Sequence, residues 1–380
     1  MTFLLSISIL TLRRKTDLSF FPTIFRIIER NIIKMQKHQK IILVGGGTGW
    51  HVFPLINLTH FFEKSNPEIS LHWIGEANSI ESRVTTENKI LFSPIVCGKL
   101  RRYFSFQTIL VPFQVVIGIL QSARIMLREK PTAIFSKGWY VSLPVAIAGS
   151  MLRIPVYLHE SDSIPGLANR IVGRFATGIF CAFDEADNYF KKAKIFWHGS
   201  LLSPEIASIA GEIISPNERT QILVSCGSQG SATIFDAVLA LLPWAQDIDF
   251  HIILGVKNLD YRTKFEQFPN VEIFDFFYDQ TDYLRIVQKC DLVIARSGSS
   301  IFEFEAIGLH MILIPHPFTG NNHQYWNAVA FQKKGHELLE QKNIGELASI
   351  VEKYRTFKKS AEKRVVDRTI FDTIGQTLLK

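Results

Sequence analysis

The amino-acid sequence predicts an α/β protein made of two Rossmann-like, doubly wound domains that face each other across a cleft. Three observations carry this prediction. Residues 41–44 form an unbroken apolar run, as a fully buried parallel strand does, and lead into a glycine loop and a helical pattern through Leu55, Leu58 and Phe62. The same strand–turn–helix succession recurs after residues 221–224, where the loop reads SCGSQGS, and after 292–295, where it reads RSGSSIFEFE. Finally, 380 residues with 47% hydrophobic and 20% charged side chains suffice to bury two domain cores.

Residues 1–38 read as an extension. The apolar run at 3–12 has no leading basic region and no small-residue cleavage site, so it is a poor signal peptide. A periodic helix with Arg26, Arg30 and Lys34 could lie on a membrane, but Met35 stands just ahead of the first strand and is the expected start. N-terminal mass spectrometry decides this; a peptide from residues 5–25 excludes it. No apolar stretch is expected to reach the ~18 residues that a transmembrane helix needs.

The first domain spans residues 39–199. In its loop GGGTGWHVFP (45–54), glycines let backbone turn sharply and approach a ligand, and Pro54 suits the first turn of the helix. Free N–H groups and the helix dipole then make an anion site, beside which His51 titrates near neutrality. A second strand covers 71–74. The stretch CGKLRRYFSF (97–106) offers Lys99, Arg101 and Arg102 to anionic head groups, with Tyr103 and Phe104 to enter the interface. Helical periodicity at 111–128, a strand at 132–135 and the turn SKGWYVS (136–142) follow. A strand at 156–158 ends in HESDSIPGLANR (159–170), polar groups at the carboxyl end where α/β proteins bind ligands. Strands at 178–181 and 194–196 complete the sheet.

Residues 200–219, with Pro204, Gly211 and Pro216, read as a linker. The second domain, 220–350, has strands at 221–224, 250–254, 271–274, 292–295 and 311–314. Residues 351–380 read as charged amphipathic helices.

Several chemistries are poorly supported. The four cysteines are widely spaced with no CxxC, so neither a disulfide framework nor a zinc site is suggested and a reduced, cytoplasmic setting follows. Neither glycine loop is a G-x-G-x-x-G followed by an acid, and there is no G-K-[ST]. Asp247 and Asp249 sit at the amino end of a strand and read as a surface turn, not a metal site. The net charge of +7 suits an anionic partner. Two Rossmann-like halves suggest a nucleotide-bearing donor in one and an acceptor in the other.

Five motifs then stand in order: GGGTGxHVFP (45–54), HE with Pro165, Gly166 and Asn169, GSQG (227–230), RSG (296–298) with Glu303, and HQYWNA (323–328). Together they resemble the MurG glycosyltransferases, over about residues 40–350. The resemblance implies a GT-B fold whose C-terminal helix returns to the first domain. It implies inverting transfer of N-acetylglucosamine from UDP-GlcNAc to undecaprenyl-pyrophosphoryl-MurNAc-pentapeptide (lipid I), giving lipid II. The setting implied is the cytoplasmic face of the cell membrane. No cofactor is required beyond the donor substrate. The implied partners are the polyprenyl-pyrophosphate acceptor, an anionic membrane surface, and cell-wall synthesis and division proteins, with no nucleic acid.

By the same resemblance, His51 is the candidate base and Glu160 its rival. The loops from Gly45 to His51 and from Lys137 to Ser142 look like the acceptor-diphosphate cradle, with Gly47, Thr48, Gly49 and Trp50, and Gly138 and Tyr140, as the matching residues. Ser228, Gln229, Gly230, Arg296 and Gly298 match the donor loops, Glu303 the carboxylate on the ribose, and Gln324, with His323, the sugar contacts. Thr48, Gly49, Trp50, Asp162 and Ser203 complete the expected UDP-GlcNAc set. Glu303 as a helix-start carboxylate and His323 as a capping residue are the duller readings.

There are departures. Ser203 stands in HGSLLS (198–203) where the family commonly has Arg, and the turn from Gly298 to Glu303 is one residue short. Trp50 and Trp139 stand where the family has glycine. A tryptophan in a phosphate-cradling turn fills the anion's space and, at positive φ, is strained. Two such changes predict a code in which UGA specifies glycine, and UGG codons at both positions would exclude it. With both tryptophans present, a nucleotide-sugar-binding scaffold is the alternative from another class, and a UDP-GlcNAc epimerase the alternative among enzymes.

Overall fold

The computed structural model describes residues 39–98, 106–190, 194–210, 212, 217–277, 279–360, 366 and 369–379. The expected extension with Met35, and the basic aromatic residues Lys99, Arg101, Arg102, Tyr103 and Phe104, lie outside the described residues.

The first sheet holds β1 (Lys40–Val44), β2 (Ser70–Glu76), β3 (Leu91–Ile95), β4 (Ala133–Ser136), β5 (Val156–Glu160), β6 (Gly178–Cys181) and β7 (Lys194–His198). Its pairs are parallel, in the order β3-β2-β1-β4-β5-β6-β7. The crossovers are α1 (Gly49–Ser65), α2 (Ile80–Glu87), α3 (Phe106–Glu129), α4 (Ser142–Met151) and α5 (Leu167–Val172). Ile41 to Val44 are completely buried, as a strand covered on both faces requires.

Beyond α6 (Pro204–Ala210), the second sheet holds β8 (Thr220–Ser225), β9 (Ile248–Ile253), β10 (Val271–Phe274), β11 (Leu292–Ala295), β12 (His310–Leu313) and β13 (Glu337–Leu338). It is also parallel, in the order β10-β9-β8-β11-β12-β13. Its helices include α7 (Ala232–Leu241), α8 (Arg262–Phe265), α9 (Gln280–Lys289), α10 (Ile301–Ile307), α11 (His323–Gln332) and α12 (Leu347–Lys353). The last helix, α13 (Thr369–Leu378), packs on the first domain: Ile370, Phe371, Ile374 and Leu378 join the cluster of Leu43, Leu58 and Phe135. Burying side chains of this size contributes roughly 1.5–3 kcal/mol each. Gln39 Nε2 adds a bond to the Leu379 carbonyl, 3.1 Å.

The expected two doubly wound domains are therefore present, with four local differences. Helix α1 begins at Gly49, so Pro54 is interior and not in the first turn. Its missing N–H is tolerated because Val52, Leu55, Leu58 and Phe62 anchor the helix in the core. The expected linker contains α6, whose Ile206 and Ile209 enter the second domain's core. Asp247 stands in the expected exposed turn, paired with Arg355, whereas Asp249 lies within β9, ion-paired to Arg219.

Helix α3 supplies the fourth difference. Leu110–Glu129 is long and apolar enough to cross a membrane by length and composition, contrary to the expectation. Two apolar faces account for this. Val111 and Met126 are buried, while Leu110, Phe113, Leu120 and Leu127 are more than half exposed.

Candidate functional site

In each sheet the strand order reverses once, between β1 and β4 and between β8 and β11. The crevice outside the carboxyl ends of such strands is where an open parallel sheet binds ligands. The loops that carry the motifs, 45–48 and 137–141 in the first domain, 226–231 and 296–300 in the second, all leave these four strands.

The first crevice is built around the start of α1. Thr48 is the N-cap residue in extended conformation, but its hydroxyl bonds His51 Nδ1 at 2.8 Å instead of capping the helix. The N–H groups of Gly49 and Trp50 have no acceptor among the described residues. They are the free donors that a helix N-terminus offers an anion. Gly47 differs from expectation, because its N–H donates to Glu81 Oε2 at 3.1 Å and is not available. Glu81 is fully buried and also accepts from the Glu76 N–H, so an internal carboxylate shapes this loop.

His51 has one committed nitrogen. Burial, then the Lys137 cation, lowers its pKa to about 3, so the imidazole is neutral. In the tautomer whose Nδ1–H donates to the Thr48 hydroxyl, Nε2 carries the lone pair, has no partner among the described residues and can accept a proton. Glu160 has no such freedom. Its Oε1 accepts the Asp162 N–H at 2.8 Å and its Oε2 accepts from Asn169 Nδ2 at 2.7 Å. Burial and then Asp162 raise its carboxyl above the usual carboxylate range. Glu160 is a positioning residue here: Asn169 Oδ1, held by it, accepts the Trp139 N–H at 3.0 Å.

The turn after β4 shows which position the loop built for glycine. Gly138 has φ +93°, and a Cβ there would meet Asn169 Oδ1 at 2.2 Å. Trp139 has φ +74°, a conformation costly for any residue with a Cβ. Its indole lies 4.9 Å from the His51 ring, against Gly47, with Nε1 buried and without a hydrogen-bond partner among the described residues. The expected obstruction is therefore located at Trp139. Trp50 departs from expectation: it sits in the first turn of α1 outside the positive-φ set, and 43% exposed. Tyr140 does not contribute a free hydroxyl, because it donates to Glu76 Oε2.

The second crevice opens into a cavity of about 500 Å³ whose walls include Ser228, Gln229, Arg296, Gly298 and Gln324. Gly230 makes its floor possible: φ is +73° and a Cβ would lie 1.9 Å from the Leu254 carbonyl oxygen. Ser231, the N-cap residue of α7, leaves the helix end open and accepts from Arg296 Nη2 at 2.8 Å. The side chains of Ser228 and Gln229 are exposed. Gln324 Oε1 accepts the His316 N–H at 2.8 Å. The carboxylate of Glu303, in the first turn of α10, has no hydrogen-bond partner among the described residues, and burial raises its pKa to about 7. Trp50 lines this cavity too, its ring 3.9 Å from where a Cβ on Gly227 would stand. The two crevices therefore share a wall beside His51.

Three expected site residues are used otherwise. His323 Nδ1 donates to the Gly320 carbonyl at 2.8 Å, and it does not cap α11, whose N-cap residue is Asn322. Ser203 is buried and accepts from Gln280 Nε2 at 3.0 Å, outside the cavity lining. Asp162 Oδ1 accepts from Asn327 Nδ2 at 3.1 Å, and Asn327 Oδ1 accepts both the Ser163 N–H and hydroxyl. Asn327 thus ties α11 of the second domain to the loop after β5 of the first. Sequence reasoning passed over Glu81, His316 and Asn327, whereas Lys137 opens the loop 137–142 that the resemblance had already singled out.

Comparison with known proteins agrees with this geometry. The glycosyltransferase family 28 N-terminal domain matches residues 41–181, and the glycosyltransferase family 28 C-terminal domain matches residues 221–369. A Bacillus cereus protein named UDP-N-acetylglucosamine–N-acetylmuramyl-(pentapeptide) pyrophosphoryl-undecaprenol N-acetylglucosamine transferase 2 is 34% identical over 357 residues, 89% of this chain and 99% of its own length. A transferase of the same function name from Shouchella clausii is 35% identical, over 80% of this chain and 87% of its own. Among solved structures, Acinetobacter baumannii MurG superposes with TM-score 0.66 at 20% identity, covering 83% of this chain and 91% of that one. A Neisseria meningitidis UDP-GlcNAc 2-epimerase bound to UDP-GlcNAc superposes at 0.62 and 13% identity, over 90% of this chain and all of that one. At those identities the two structures share the fold.

Proposed function

We propose the following reaction for this chain, which belongs to glycosyltransferase family 28: it transfers N-acetylglucosamine from UDP-GlcNAc to lipid I, forming lipid II with inversion. One observation carries the reading. The cavity of the second crevice is walled by Trp50, the neighbour of a neutral His51 with an uncommitted Nε2. A sugar nucleotide held there has its transferable sugar next to a base and next to the free N–H groups of α1.

The acceptor hydroxyl attacks the anomeric carbon, the bond from that carbon to the diphosphate oxygen breaks, and His51 Nε2 takes the hydroxyl proton. The leaving UDP gains charge, which the open end of α7, Ser228 and Arg296 stabilise. Glu303 accepts the ribose hydroxyls, and Gln324 contacts the sugar. The 13%-identical epimerase likeness supports the fold alone, whereas the transferase relatives cover nearly the whole chain.

The protein docks on the anionic cytoplasmic face of the cell membrane. The exposed apolar face of α3 supports this, since it begins directly after the basic aromatic stretch with Lys99, Arg101 and Arg102. Cell-wall synthesis and division proteins are the partners expected there. The test is UDP release with and without a lipid I analogue. Acceptor-dependent release is expected. Acceptor-independent conversion of UDP-GlcNAc would favour an epimerase, and binding without turnover a scaffold.

A further inference from the structure

The cavity of the second crevice is also lined by a side chain that the transfer reaction leaves unused, the imidazole of His316. His316 lies in the loop at the carboxyl end of β12, between Pro315 and Pro317. Two prolines stiffen this backbone, since each fixes its own φ and keeps the residue before it extended. The ring is anchored at one end. Nδ1 accepts the Phe318 N–H at 3.2 Å, and a ring nitrogen that accepts from a backbone N–H carries no proton of its own. The neutral ring therefore has its proton on Nε2, for which no partner stands among the described residues. The backbone N–H of His316 meanwhile holds Gln324 Oε1, so only the N–H end of that amide is left to a ligand. Among the described residues that line the cavity, Arg296 and His316 are the side chains able to carry positive charge, and none is a carboxylate. Arg296 already gives Nη1 to the Ile314 carbonyl at 3.0 Å and Nη2 to the Ser231 hydroxyl at 2.8 Å. A cavity without carboxylates, bordered by N–H donors, suits an anion.

We propose that His316 recognises the diphosphate of the sugar nucleotide through a neutral Nε2–H, a contact this chain makes with a side chain outside its five motifs. This rests on the reading of the cavity as the UDP-GlcNAc site. The ring acts as a donor and not as a cation. Burial, then the Arg296 guanidinium, lowers its pKa, and a proton on Nδ1 would displace the Phe318 N–H. Of the other groups nearby, His323 on α11 is turned to the Gly320 carbonyl, and burial holds the Cys226 thiol, after β8, up at about 12. When the sugar departs, the bond from the anomeric carbon to the diphosphate oxygen breaks and its electron pair stays on that oxygen. The ring keeps its proton throughout, and its hydrogen bond strengthens as the charge on the diphosphate grows.

The test is titration of the whole chain with UDP-GlcNAc and with uridine, which lacks the diphosphate. His316→Ala is expected to lose about 10- to 100-fold in affinity for UDP-GlcNAc and to keep its affinity for uridine. His316→Gln, whose side-chain amide is a neutral donor, is expected to recover most of that loss. Neither variant removes the backbone N–H that holds Gln324, and the exposed position should leave thermal unfolding unchanged. With isotope-labelled histidines, the nitrogen signals of the unmutated chain that His316→Gln lacks should be those of an Nε2–H tautomer. They should shift with UDP-GlcNAc and stay in place with uridine. Unchanged UDP-GlcNAc affinity in His316→Ala, an equal loss for both ligands, or an Nδ1–H tautomer overturns the proposal. An unmutated chain that binds neither ligand removes the nucleotide-sugar reading and this proposal with it, whereas binding that ignores His316 removes this proposal alone. These measurements need no acceptor, so they stand apart from the turnover that tests the transferase reading.

Discussion

At residue scale, the two rivals for the base separate by their hydrogen bonds. His51 has a free Nε2, while both oxygens of Glu160 are committed to Asp162 and Asn169. His51→Ala should therefore lower turnover by about 10²–10⁴ with folding intact, and near-normal turnover would remove it from the chemistry. Glu160→Ala should instead destabilise the fold by about 1–3 kcal/mol, measured by urea unfolding, because it strips the partner from a buried Asn169. The pH dependence follows from sign. A histidine lowered to about 3 is already neutral at any higher pH, so kcat/KM should show no acid limb near 6.5 from His51. A bound anionic acceptor favours the imidazolium, so the corresponding limb in kcat lies at higher pH. Trp139 makes a different prediction. Truncating a core tryptophan ordinarily costs about 3–5 kcal/mol. Trp139→Gly should cost less than about 2 kcal/mol, because relief of positive φ returns roughly 1–3 kcal/mol. The identity of both site histidine and loop glycines was legible in the motifs. Which nitrogen was free was not, since that depends on Thr48 folding back one turn.

At element scale, α11 joins the domains through Asn327, which is 1% exposed. Asn327→Ala leaves the Ser163 donors and the Asp162 acceptor without their partner, and should cost about 2–3 kcal/mol in thermal or urea unfolding. No local pattern announces such a strut, because its two ends lie 164 residues apart. Edge strand β3 was illegible for another reason. Pro94 interrupts it and its burial does not alternate, both of which an edge tolerates. Helix α3 was legible as a helix but not as a surface, since both of its faces are apolar. Phe113→Glu with Leu120→Glu should remove the sedimentation with anionic vesicles that survives high salt and leave stability within about 0.5 kcal/mol. Vesicle binding retained at high salt would place the apolar contact elsewhere.

At the scale of the whole molecule, the two sheets are alike in plan and unlike in charge logic. The second crevice is open and furnished with the exposed polar side chains of Ser228 and Gln229. The first is tight, with Glu81, Glu160 and Tyr140 engaged in holding its loops. The net charge of +7 acts over the whole surface, so vesicle binding should weaken between about 0.1 and 1 M salt, as the screening length falls from about 10 to 3 Å. What survives at high salt measures the apolar share from α3. Binding that is indifferent to salt would remove the electrostatic part of the membrane proposal.

The sequence by itself determined the two-domain plan, because buried parallel strands read as apolar runs and each glycine loop needs backbone that no other residue supplies. It also determined the family, because five motifs stand in one order. The tertiary structure decided what each motif residue does. Gly47, Asp162, Ser203 and His323 keep their places in the motifs, yet their hydrogen-bonding groups go to Glu81, Asn327, Gln280 and Gly320. Lys137 shows the converse, since its place after an apolar strand is plain in the chain but only the fold leaves its ammonium without a hydrogen-bond partner among the described residues. Whether a polar group is free for a ligand is a property of its neighbours in space, and the chain order does not contain it.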